Sequence, residues 1–164
     1  MRMPRRYRRR SARVLLIDRA DRILLLHSGS TELGYCWLTP GGGVNRWESV
    51  RRAAARELRE EIGLVVPART LAGPIASTSG HADLGWARGL FRDDFFVHRV
   101  DGHRVDTRRM EQLERSHHAG HRWWSVEELS GTADTVYPLG LVPLLTEVVA
   151  GRLPDRPVQL PWHH

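Results

Sequence analysis

From Glu48 to Ile62 the chain runs without a glycine or proline, between Pro40-Gly41-Gly42-Gly43 on one side and Gly63 on the other. Ala53-Ala54-Ala55 and the arginine and glutamate content favour a helix there. Val50, Ala54, Leu58 and Ile62 recur at i+4 and give it one apolar stripe to bury. Gly63 supplies the helix stop, as a glycine just past the last turn commonly does. The upstream Pro-Gly-Gly-Gly run reads as a turn. One helix is therefore expected over Glu48–Ile62, and its last turn breaks a local rule. Glu57, Glu60 and Glu61 crowd the C-terminal end, where the helix dipole disfavours each carboxylate by about 0.3–1 kcal/mol. Glu57 repels Glu60 at i+3 and Glu61 at i+4. At 100° per residue the three point into one ~100° arc. A divalent cation is the simplest compensation, because clustered carboxylates suit hard ions such as Mg²⁺. The plainer alternative is a solvated acidic face laced with Arg56 and Arg59. Violations of this kind are expected at functional sites.

The remaining sequence supplies mostly strands. Arg13–Ile17 and Ile23–Leu26 flank Asp18-Arg19-Ala20-Asp21 and read as a hairpin buried on both faces, since alternation is weak. His27–Tyr35 reads as a loop, and Trp37-Leu38 as a short strand. Leu64–Val66, Thr70–Ile75 and Phe91–Val100 are strand-like, and Asp101–Gly120 is a polar loop. A short strand at Arg122-Trp123-Trp124 precedes a short helix around Val126–Leu129. Leu141–Val149 reads as a final helix and Arg152–His164 as a Pro-punctuated tail. No repeat and no second core intervene. The pattern is an α/β sandwich, of a size, 164 residues, that suits one domain.

The formal charge of +6 and the pI near 10.8 would suggest nucleic acid. Its distribution says otherwise. Seven of the 25 basic residues, all arginines, lie in the first thirteen positions, and residues 14–164 hold 18 arginines against 19 acids. The expected division is an Arg-rich, disordered arm over 1–11, a domain over 12–150 and a tail over 151–164. Val14–Ile17 is too short for the apolar core of a signal peptide, no apolar run reaches the ~18 residues of a membrane span, and the single Cys36 forms no internal disulfide. A cytoplasmic location is the expectation.

The wider spacing around the glutamates carries more weight than the glutamates alone. From Gly42, five residues lead to Glu48 and seven more to Arg56-Glu57-Leu58-Arg59-Glu60-Glu61-Ile62-Gly63-Leu64. This resembles, without a departure, the Nudix box G-x5-E-x7-R-E-U-x-E-E-x-G-U, with U aliphatic. Seven fixed identities at ~7% usage each have a chance on the order of 10⁻⁸ per starting position. Trp37-Leu38-Thr39-Pro40-Gly41-Gly42 resembles the strand and turn before the box. Arg122–Leu129 resembles the strand and helix that commonly close the domain. The resemblance covers about Ala12 to Val149.

The resemblance implies an α/β/α sandwich with a mixed, partly antiparallel central sheet. It implies a pyrophosphohydrolase using Mg²⁺, or Mn²⁺, on a nucleoside triphosphate or nucleoside diphosphate derivative. Glu57 and Glu61 map onto the principal metal ligands and Glu60 onto a further ligand or water-orienting carboxylate. A carbonyl of Gly41 or Gly42 is another ligand, since glycine permits close backbone approach. Arg56 holds the glutamates in place, and Glu48 binds an outer metal or pairs with Arg56. A general base is often supplied from a loop beyond the box. Glu114 is the favoured candidate, then Glu111, with Glu60 as the fallback and Asp93 and Asp94 as weaker candidates.

Other features are less specific. His117, His118 and His121 lie close together, and His118 is a candidate substrate contact rather than a metal ligand. Trp47, beside Glu48, and Trp86, in the Gly80–Gly89 segment expected to be flexible, are candidates for stacking on a nucleobase. The arginine arm offers a contact to nucleic acid. Processing of an RNA cap or 5′-triphosphate is therefore an alternative function, and a nucleotide-sensing protein on a Nudix fold is another. A monomer or a homodimer fits equally. Family subgroup markers are missing: Ser79 stands where a proline would suggest ADP-ribose, and Ala82 where a tyrosine would suggest dinucleoside polyphosphates.

Overall fold

The computed structural model describes residues 6–162, with the side chains of 112 and 113 set aside. Its strands are β1 (Arg9–Ile17), β2 (Ile23–Ser30), β3 (Gly34–Leu38), β4 (Gly41–Gly43), β5 (Ala72–Asp83), β6 (Arg88–Arg99), β7 (His118–Trp124), β8 (Val136–Tyr137) and β9 (Val158–Gln159). Its helices are α1 (Val50–Ile62), α2 (Gln112–His117), α3 (Val126–Gly131) and α4 (Leu141–Val149). The described strands form one mixed sheet in the order β8-β3-β2-β1-β6-β5-β9, with β4 also on β1 and β7 also on β2. The β1/β6, β3/β8 and β5/β9 pairs are parallel and the others antiparallel.

Helices cover both faces of this sheet. Ala12, Val14, Leu16 and Phe96 pack on Ala53, Ala54, Leu58 and Ile62 of α1. Leu15, Ile17, Phe95 and Val97 pack instead with Leu141, Leu144, Leu145 and Val148 of α4. Successive residues of a strand face opposite sides, so Val14 to Ile17 are all fully buried without alternating in character. Ser49 caps α1 by accepting from the Arg52 N–H, and Gly63 ends it in the left-handed region at φ 72°.

The expected hairpin exists but opens at once. β1 and β2 pair only at Ile17 and Ile23 and then diverge. The chain crosses the gap: β3 pairs with β2, and β4 pairs with β1, with Ala12 opposite Gly42 and Arg13 opposite Gly41. Gly41–Gly43 is thus a strand and not a turn. Glycine is required because a Cβ on Gly41, at φ 149°, would lie 2.1 Å from the Ala12 carbonyl oxygen.

Other boundaries move for similar reasons. β1 starts at Arg9, where its parallel pairing with β6 begins at Phe91; residues 1–5 of the expected arm lie outside the described residues. The loop expected over His27–Tyr35 is largely paired strand, with Ser28 opposite Cys36 and Ser30 opposite Gly34. Leu64–Val66 forms no strand, whereas the polar stretch before Arg122 contains α2 and the start of β7. The Gly80–Gly89 segment is a β5/β6 hairpin with Ala82 opposite Gly89. The tail also packs: β9 pairs with β5 through Ala76 and Val158.

The close approach at Gly41 gives a stability prediction. Gly41→Ala combines overpacking and backbone strain, each of order 1–3 kcal/mol, and should lower the melting temperature by about 5–15 °C. Gly102→Ala, with open space around it, should change it little. Thermal unfolding followed by circular dichroism checks both.

Candidate active site

The wedge between β1 and β2 opens into a cleft of about 400 Å³. β1 contributes Arg9 and Arg13, β4 contributes Gly41 and Gly42, α1 contributes Glu61, and α2 contributes Glu114 and His117.

One arginine organises its acidic wall. Arg56 donates from Nε and Nη2 to the two oxygens of Glu48, both at 2.9 Å. Its Nη2 also donates to the Gly43 carbonyl at 2.8 Å, and Nη1 donates to Glu57 at 2.9 Å and Glu60 at 3.1 Å. All five N–H donors of a guanidinium are thereby engaged. The bond from Arg56 holds the Glu48 carboxyl below its usual range. Of the two readings left open for Glu48, the geometry places it on Arg56. Glu60 is there too.

Glu61 lines the cleft and Glu57 lies beside it; they are 7% and 4% exposed. The oxygens that they and Glu114 offer lie within 4.8 Å of one another. Glu57 Oε1 is bonded to Arg56, while its buried Oε2 has no hydrogen-bond partner. Gly42 makes room for this carboxylate, since a Cβ there would lie 2.6 Å from Oε1. Glu61 Oε2 accepts from the Gly41 N–H at 2.8 Å. Burial, reinforced by Glu114, lifts the Glu57 carboxyl to about 6 against the pull of Arg56. Burial lifts Glu61 to about 8, although Arg13 opposes it. Glu114 is also raised, chiefly by burial, and its carboxylate accepts from the Glu111 N–H at 3.4 Å.

A divalent cation fits this trio. Three carboxylates converge, one buried oxygen has no donor, and burial raises the pKa of each group despite the nearby Arg56 and Arg13. Among the described residues, no other group of three or more ligating side chains lies close enough to share an ion, so the clustered histidines form no such group.

The other expected residues divide between cleft and surface. His118 lines the cleft, with its pKa lowered by burial first and then by His121 and His27. Glu111 precedes α2 and is exposed. Trp47, in the left-handed region at φ 68°, is 92% exposed with the Arg46 guanidinium 5.3 Å from its ring centroid. Trp86 is 65% exposed and carries the Arg9 guanidinium at 5.3 Å. Asp94 is buried on the α1 side of the sheet and paired with Arg10 at 2.8 Å and Arg92 at 3.0 Å.

Arg13 is the residue that the sequence reading missed. It lies in the first strand, as expected, but the sequence reading attaches no role in the site to it; it donates to the carbonyls of Thr39 at 3.1 Å and Gly41 at 3.4 Å. Among the described residues neither Arg13 nor Arg9 has a carboxylate in ion-pair contact. The signal was present: Arg13 interrupts the apolar run Ala12–Ile17.

The raised carboxyls set a pH dependence. An unfolded glutamate titrates near 4.5, below the folded values of about 6 and about 8, so the folded state retains protons that the unfolded chain releases. Stability from these groups falls as pH rises through that window. Metal-free protein should therefore melt lower at pH 8 than at pH 5, and Glu61→Gln should flatten the slope and raise the pH 8 melting temperature by about 2–6 °C. Mg²⁺ at pH 8 should raise the wild-type melting temperature, by mass action on the folded state. Differential scanning calorimetry with and without chelator measures all three.

Comparison with known proteins follows the same outline. The NUDIX domain description matches residues 7–142. The ADP-ribose pyrophosphatase of Methanocaldococcus jannaschii is 34% identical over 62 residues, a match that spans 38% of this chain and only 37% of that protein. The dihydroneopterin triphosphate pyrophosphohydrolase of E. coli superposes with a TM-score of 0.64 at 16% identity, over 90% of this chain and 99% of that one. A MutT protein from Methanosarcina mazei Go1 superposes with a TM-score of 0.62 at 19% identity, over 92% and 98% of the two chains. At such identities the two superpositions speak to the fold alone. The family match covers most of the chain, from β1 into α4: this protein belongs to the NUDIX domain family.

Proposed function

We propose that this chain is a Mg²⁺-dependent pyrophosphohydrolase that cleaves a diphosphate bond in a nucleoside triphosphate or nucleoside diphosphate derivative, with Mn²⁺ as an alternative ion. The observation that carries the reading is the charge layout of the cleft. A buried carboxylate trio sits beside two arginines with no carboxylate partner among the described residues. Such a surface suits a ligand that brings both cations and phosphates. The M. jannaschii relative and the E. coli neighbour, both pyrophosphate-bond hydrolases by name, agree with it.

Glu57 and Glu61 would hold the ion, together with a Gly41 or Gly42 carbonyl. When bound, it neutralises diphosphate charge and acidifies water. The protein's own groups do the rest. Arg13 faces the phosphates and stabilises charge that develops on their oxygens. Glu114, whose pKa burial raises, takes the proton from the attacking water. The water oxygen bonds to phosphorus as the bridging P–O bond breaks, and the bridging oxygen leaves with the other phosphate. Arg56 fixes the rotamers of Glu57 and Glu60, so that neither swings away as charge moves.

A second reading has one observation in its favour. Arg9, from the basic stretch, lines the cleft, and Arg6, Tyr7, Arg8 and Arg88 line a neighbouring groove. An RNA 5′ end could use that path, as a cap or triphosphate substrate. Nucleotide sensing without hydrolysis is the contrasting outcome.

A panel of nucleoside triphosphates, nucleoside diphosphate sugars, ADP-ribose and capped RNA, scored by product with Mg²⁺ and with Mn²⁺, tests these readings. Glu57→Gln and Glu61→Gln should each cut metal-dependent turnover by at least ~10²-fold while the fold is retained. Glu114→Gln should lower kcat by about 10²–10⁴ with little change in KM. Undiminished turnover in Glu57→Gln or Glu61→Gln overturns the ligand assignment, and full kcat in Glu114→Gln returns the base to Glu60 or Glu111.

A further inference from the structure

A second, smaller chamber of about 140 Å³ adjoins the cleft, and Arg9 and Arg13 line both. Side chains two apart on a strand share a face, so Arg9, Ser11 and Arg13 of β1 look the same way. β6 runs parallel to β1 with Phe91 opposite Arg9 and Asp93 opposite Ser11, which brings Phe91 and Asp93 onto the same face. The remaining wall comes from far along the chain. Trp162 packs directly over Gly80 of β5, where a Cβ would lie 2.2 Å from its ring. Its Nε1 donates to the His81 carbonyl at 3.1 Å. Two further bonds anchor the segment: Thr78 Oγ1 donates to the Pro161 carbonyl at 2.9 Å, and the Leu160 N–H to the Ser77 carbonyl at 2.8 Å.

Asp93 is the informative member. Its neighbour Asp94 faces the other way and is clamped by two arginines. Asp93 has no hydrogen bond or ion pair among the described residues, although two arginines line the same chamber. An ionised carboxylate only accepts, and it accepts two parallel donors well. The chamber therefore offers two aromatic walls, an unused two-oxygen acceptor, and arginines leading back to the carboxylate trio. Arg9 and Arg13 are four residues apart, about 13 Å along a strand, a spacing that leaves room for phosphates between trio and chamber.

We propose that this chamber is the base subsite of the hydrolase and that it selects guanine, with Asp93 as the reading residue and Trp162 as the stacking wall. The proposal rests on the phosphohydrolase reading above. Guanine presents ring N1–H and exocyclic N2–H side by side, one for each carboxylate oxygen. Adenine and cytosine present one amino group beside a ring-nitrogen lone pair, which the carboxylate repels. Uracil presents a single N–H between two carbonyls. Sites built to hydrogen-bond a particular edge reject its analogue because their polar groups are otherwise left unpaired.

The test separates base reading from catalysis. Calorimetric binding of GMP and AMP without metal should favour GMP by at least tenfold, and kcat/KM for GTP should exceed that for ATP by a similar factor. Asp93→Asn replaces two acceptors by one acceptor and one donor, the pattern that pairs with adenine. It should collapse or reverse both ratios. Trp162→Ala should raise KM for GTP about tenfold with a smaller change in kcat, and Trp162→Phe should restore most of it, which a general loss of folding would not show. Turnover without base preference in either assay overturns the subsite and leaves the hydrolase standing. GMP preference without any turnover upholds the subsite and overturns the hydrolase. A guanine preference that survives Asp93→Asn removes Asp93 from the reading.

Discussion

The five-donor engagement of Arg56 is the interaction on which the centre depends. Three glutamates at a helix C-terminus repel one another and the helix dipole. Arg56 meets this by binding Glu48, Glu57 and Glu60 at once and by reaching the Gly43 carbonyl. The last contact matters for architecture, because it ties α1 to β4 and so sets the helix against the strand that borders the cleft. A lysine would supply charge without the planar fork and could not serve four acceptors in these directions. Neutralisation is incomplete by design of the geometry. Glu57 keeps one oxygen without a donor, and Glu61 receives only a backbone N–H.

The sheet makes room for this centre by failing to stay closed. β1 and β2 share a corner and then part, and the crossing from β3 to β4 fills only one side of the gap. The crossing strand is all glycine, which lets backbone stand against backbone at Ala12 and carboxylate against backbone at Glu57. Depth, acidity and close approach thus have one origin. Arg13 completes the arrangement by bonding carbonyls of the crossing segment while its charge remains available to the cleft.

Local features were legible in the sequence and distant ones were not. α1, its Gly63 end and the convergence of Glu57 and Glu61 follow from spacing within one helix. Glu114 was found through the resemblance to a family, since nothing in its own surroundings marks it. The Gly41–Gly43 strand was hidden because glycine suggests a turn, and only the partner strand reveals pairing that glycine alone permits. Arg13 was lost in a count of charges. Asp93 and Asp94 look alike in sequence, yet one strand step puts one in an arginine clamp and the other on the opposite face. Trp162 gave no signal, because its role depends on Gly80 and not on its neighbours.

The anchoring of Trp162 ties distant parts of the chain to one small space. The chamber floor uses Arg9 from the first strand and its wall uses residue 162. These two residues stand some 150 positions apart in the sequence. The chamber is thus completed by residues far apart in the sequence, and its shape depends on the contacts that bring Trp162 to Gly80.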